Sequence, residues 1–119
     1  MSGTTTAMGN AWTQHLRLAL MRAMLDCPAR RAHESLLVDL VAGVGIAADR
    51  DQVREALLWL HDQELVVGEV AHGSIVATLT ERGEWVAEGK RDHEGVKRPN
   101  ATAGIARRAL SISIDQLKR

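Results

Sequence analysis

The sequence contains no tyrosine and no phenylalanine, so three tryptophans carry all of its aromatic bulk. Trp12, Trp59 and Trp85 each lie within an apolar helical pattern, which assigns them to packing rather than to a base-stacking platform. A single cysteine, Cys27, excludes an internal disulfide and a cysteine-based metal cluster. A lone thiol of this kind fits a reducing, cytoplasmic setting. No uncharged apolar run approaches the ~18 residues that a membrane span needs. Met1 to Asn10 is small and polar, with no basic stretch leading into an apolar one, and a secretory signal is not expected.

Catalytic patterns are also missing. Of the five histidines, none is spaced with a cysteine or carboxylate as a metal site requires; the His61 and Glu64 pair, three residues apart, is ordinary for a helix surface. No Ser-His-Asp arrangement is suggested, and Ser35 belongs to the first turn of a helix. Gly43 and Gly45 are followed by apolar residues, not by the Lys-Ser/Thr of a phosphate-cradling loop. The sequence therefore predicts no enzyme, no metal, no cofactor and no small-molecule ligand.

What is present is enough for one small domain: 119 residues, 45% of them apolar. Net charge is zero but unevenly spread. Met1 to Gly89 holds 7 Lys and Arg against 12 Asp and Glu, whereas Lys90 to Arg119 holds 8 against 3. An acidic body (residues 11–89) thus separates a disordered leader (1–10) from a basic, flexible tail (90–119). Within the tail, Ala103 to Leu110 has the pattern of a helical turn or two, and Lys97-Arg98 and Arg107-Arg108 concentrate its charge.

The first helix is predicted from about Ala11 to Asp26. Trp12, Leu16, Ala19, Leu20, Ala23, Met24 and Cys27 share one arc, while Leu18, Met21 and Leu25 fall nearly opposite. Two apolar faces on one helix of a small domain suggest a homodimer, with Leu18, Met21, Leu25 and Trp85 at its interface. Pro28 ends the helix, and Ala29 to His33 is read as a connector. A second helix, Glu34 to Val44, turns Leu36, Leu37, Leu40, Val41 and Val44 inward. Asp49 followed by Gln52 is a capping-box pattern opening a third helix that runs to about Gln63 and buries Val53, Ala56, Leu57 and Leu60. The period then changes. Leu65 to Val70 and Ser74 to Leu79 are strand-like, joined by the turn-forming Ala71-His72-Gly73-Ser74. Thr80 caps a last helix, Glu81 to Gly89.

This order predicts an α+β, mainly α architecture of the winged helix-turn-helix kind: three helices, a two-stranded wing, a C-terminal helix and a flexible tail. Arg50 to Leu60, followed at once by Gln63-Glu64-Leu65-Val66, resembles the third helix of such domains and its step into the wing. Leu79-Thr80-Glu81-Arg82-Gly83 is similar to the L-T-x-x-G ending of the second wing strand in bacterial winged-helix regulators. From Trp12 to Pro99 the chain resembles the small winged-helix proteins of Mu-like prophages, which carry an ArsR-like label by similarity. Metal-sensing ArsR proteins place a cysteine pair on the third helix; this helix has none.

The resemblance implies a phage transcriptional regulator binding double-stranded DNA as a dimer. The groove-facing residues would then be Arg50, Asp51, Gln52, Arg54 and Glu55, with Leu58 further along. Arginine matches guanine and glutamine matches adenine. His72 and Ser74 at the wing tip, and Arg30 and Arg31 before the second helix, would meet the backbone. Against this, Asp51, Glu55 and Asp62 make the outward face of the third helix acidic, whereas phosphate contacts need positive charge. The alternative is a winged-helix adaptor that holds a protein partner and no DNA.

Overall fold

The computed structural model describes residues 3–99, with side chains from Met8 onward. The elements run α1 (Gly3–Leu25), a 3₁₀ turn (Pro28–Arg30), β1 (Arg31–His33), α2 (Glu34–Gly43), α3 (Arg50–Asp62), β2 (Val66–Ala71), β3 (Ser74–Leu79) and α4 (Glu81–Ala87). Among the described residues this is an α+β fold, mainly helical, with four α-helices and a three-stranded antiparallel sheet ordered β1-β3-β2. Such an arrangement is compatible with a winged helix.

Local chemistry sets most boundaries. Asp49 accepts from the Gln52 amide at 2.7 Å, and the Gln52 side chain accepts from the Asp49 amide at 2.9 Å, closing the expected capping box on α3. Between β2 and β3, His72 and Gly73 both take positive φ, as a tight two-residue hairpin turn demands. The hairpin register pairs Val66 with Leu79 and Ala71 with Ser74. On the outer edge of β2, the Gly68 amide donates to His61 Nδ1 at 3.0 Å.

The L-T-x-x-G element acquires a physical meaning here. The Thr80 hydroxyl accepts from the Gly83 amide at 3.0 Å and donates toward the Glu64 and Leu65 carbonyls, each at 2.9 Å. It caps α4 and ties that helix to the start of the hairpin. Gly83 permits the approach, because a Cβ there would lie 2.1 Å from the Leu65 carbonyl oxygen.

Several expectations are corrected. α1 begins at Gly3, within the segment read as a disordered leader; lengthening an existing helix adds one hydrogen bond per residue and no new nucleation cost. Both apolar faces of α1 are used inside the chain, since α2, α3, α4 and β3 all pack on it. Met21 is fully buried, which removes it from any intersubunit surface; Leu18 is largely buried at the floor of an α1–α2 groove, Leu25 is half-buried, and Trp85 remains partly exposed. On α2 the apolar residues Leu37 and Val41 are buried and Val38 packs partly on the core, while Leu36 and Leu40, with Val44 just past the helix end, are exposed. Arg31 to His33 is a strand, not a connector, pairing Arg31 with Thr78 and His33 with Val76. Three residues without β-branching give no readable alternation.

The tail boundary also moves. Residues 90–99 pack on the body: Val96 is buried, the Lys97 amide donates to the Gln14 carbonyl at 3.2 Å, and Arg17 Nη1 donates to the Gly95 carbonyl at 2.9 Å. The Arg17 guanidinium lies 3.8 Å from the centre of the Trp59 ring, and His93 meets the edge of the same tryptophan. Ala103 to Leu110, and Arg107-Arg108 within it, lie outside the described residues. No described helix is long and apolar enough to cross a membrane.

Two substitutions test this packing. Gly83→Ala should cost about 3 kcal/mol or more, because the clash is with backbone and cannot be relieved by a rotamer change. Met21→Ala should cost about 2–5 kcal/mol as a core deletion. Urea unfolding followed by tryptophan fluorescence measures both; a Met21→Ala loss under about 1 kcal/mol would contradict the central burial of α1.

Candidate nucleic-acid interface

The first residue of α2 is Glu34, and its side chain is completely buried. A buried carboxylate persists only if its oxygens are answered. Oε1 accepts from the Ile75 amide at 2.7 Å, one residue into β3 from the turn. Oε2 accepts from Arg50 Nε at 3.1 Å and from Arg54 Nε at 2.5 Å. The two arginines are one helical turn apart on α3, so their stems rise from the same face and converge on one anion. Each then reaches on to the hairpin turn: Arg50 Nη2 donates to Ser74 Oγ at 2.7 Å, and Arg54 Nη2 to the Gly73 carbonyl at 2.8 Å. One carboxylate thus fastens α2, α3 and the hairpin tip together.

Burial alone would push the Glu34 carboxyl up. The hydrogen bonds from Arg54, the Ile75 amide and Arg50 outweigh it and hold the group at about 2. The same pairing raises Arg54 above its ordinary value. The arginines are not consumed by the fold: their side chains remain 48% and 39% exposed, and Nη1 of each makes no hydrogen bond among the described residues at the junction of α3 and the hairpin.

Arg50, Arg54 and Ser74 are therefore brought together, beside the exposed tip residue His72. Asp51 and Glu55 lie exposed on α3, as does Leu58. Gln52 has its side-chain oxygen committed to the cap. Arg30 and Arg31 do not join the cluster. Arg30 pairs with Glu84 of α4 at 2.6 Å, and Arg31 reaches across the sheet to Glu69 at 3.5 Å. Among the described residues, no three His, Cys, Asp or Glu side chains are grouped to hold a metal ion.

The residue that sequence reasoning passed over is Glu34. A glutamate in the first turn of a helix has an ordinary explanation in the helix dipole. The only hint is the Arg50/Arg54 pair at helical spacing, since two adjacent guanidinium groups favour a shared anion.

The fold and this arginine cluster define a small α+β protein with one polar node at a helix–hairpin junction. Comparison gives the particular family. Over 91 residues, 76% of its length, the chain is 43% identical to the uncharacterized protein gp26 of Escherichia phage Mu, and it covers 94% of that protein. The chain belongs to the family of that phage protein. No family model matches it, and no solved structure does.

Glu34→Gln should cost about 2–3 kcal/mol at neutral pH, where the charge-assisted bonds are lost. The folded-state value lies below the unfolded one near 4.5, so the contribution is full above that value and disappears as pH falls toward 2. Parallel denaturation of both proteins from pH 7 to pH 2.5 should show the gap closing in that window. A gap independent of pH would mean that the ion pairs are not its source.

Proposed function

We propose that the chain is a phage winged-helix protein that binds double-stranded DNA, with α3 as the groove-facing helix, β2–β3 as the wing, and a role in transcriptional control as a dimer. The observation that carries this is the Glu34-anchored pair Arg50 and Arg54, half-exposed at the junction of α3 and the hairpin. A guanidinium whose inner edge is held by a buried carboxylate is already oriented, so less side-chain entropy is lost when its outer edge meets a base. The N-terminal turn of the second helix of a helix-turn-helix pair is where such readers sit.

The electrostatics support sparing use of phosphate contacts. Asp51, Glu55 and Asp62 are exposed on α3, and Arg30 and Arg31 have carboxylate partners within the chain. Binding should depend on a few oriented contacts more than on a basic surface. A second function, a protein-binding adaptor, is favoured by one specific observation: Leu58 is 57% exposed on the same acidic helix, a combination better suited to a protein surface than to a phosphate backbone.

Fluorescence anisotropy against a mixed pool of duplexes separates the two. DNA binding predicts saturable association with a shallow salt dependence, a slope of about −2 to −4 in log K against log salt. Arg50→Lys/Arg54→Lys, which keeps cations beside Glu34 and removes the forked outer edges, should lose at least about tenfold in affinity, and Asp51→Asn/Glu55→Gln should gain about three- to tenfold. No saturable binding at 50 mM salt (roughly the low end at which such contacts are strongest) would reject DNA binding and leave the adaptor.

A further inference from the structure

The face of α2 turned away from the core carries an apolar stripe that continues onto the C-cap: Leu36, Leu40 and the capping Val44, four residues apart, are 44%, 36% and 71% exposed. Beside it runs a groove of about 510 Å³ between α1 and the end of α2, floored by Leu18, Ala19 and Ala23, with Leu40, Val44 and Ile46 on its other wall. A ridge and a recess thus adjoin on one surface. Arg22 in the last turn of α1 and Asp26 just past its end also line this groove, both exposed. Neither has an ion-pair partner among the described residues.

We infer that this surface is the contact between two copies of the chain, related by a twofold axis across the α1–α2 groove. A twofold contact must be self-complementary. Here the Leu40–Val44 ridge of one copy enters the recess of the other, and the same happens in reverse. Antiparallel apposition of the C-terminal ends of the two α1 helices sets each Arg22 against the partner subunit's Asp26, so the two unlike charges become two intersubunit pairs. The surface is distinct from the Arg50/Arg54 junction, and self-association stands or falls independently of DNA binding.

Light scattering and sedimentation equilibrium of the full chain test it. The expected mass is twice the 13.0 kDa of one chain. Leu40→Glu/Val44→Glu should give monomers with an unchanged helical circular dichroism spectrum. Arg22→Asp and Asp26→Arg should each weaken the dimer at least about tenfold, and the double reversal should restore it. Should the glutamate variant fail to fold, the charge-reversal cycle decides alone, because both positions are at the surface. A monomeric wild type up to several hundred micromolar (about the range in which weak dimers still form) overturns the inference. So does a dimer insensitive to these changes.

Discussion

One buried anion organises this protein. Glu34 sits where α2 begins, and the groups that answer its two oxygens come from α3 and β3. Removing a carboxylate from water is costly unless the surrounding donors are in place. The carboxylate is therefore stable only when both helices and the hairpin tip have assembled correctly. Apolar packing of Val53, Leu57 and Leu60 against α1 and α2 can tolerate small slips; a charge with three fixed donors cannot. The node converts approximate docking of helix and hairpin into a single alignment.

That alignment explains why local and distant features of the sequence differ so much in legibility. The Asp49/Gln52 box, the His72–Gly73 turn and the Thr80 cap were all readable, because each is a bond between residues at most three positions apart. The buried arc of α3 was equally clear from its period. The strand Arg31–His33 was not, since it exists only through pairing with residues more than forty positions away. Nor was the fate of Leu18 and Met21. Periodicity counts the apolar faces of a helix but does not say whether a second face is covered by another chain or by α2 and α4 of the same one.

The candidate site follows the same division. Arg50, Arg54 and Ser74 could be nominated because a helix followed by a hairpin has a known relation between its parts. Their common partner could not, because the carboxylate lies 16 residues before Arg50 and 20 before Arg54. Glu34 also changes what those arginines are. They are exposed guanidinium groups with fixed inner edges and open outer ones, rather than mobile surface charges. Arg30 and Arg31, nominated on charge alone, are held elsewhere by Glu84 and Glu69.

The imidazole of His61 has a consequence for association. With β3 in the centre, the free side of β2 is an open edge where another chain could add a strand through its main chain. The ring nitrogen of His61 already occupies the outward amide of Gly68, midway along that edge. An incoming strand would have to displace a side chain fixed on α3 before it could form a continuous ladder. The hairpin is thereby closed to β-augmentation at the centre of its free edge.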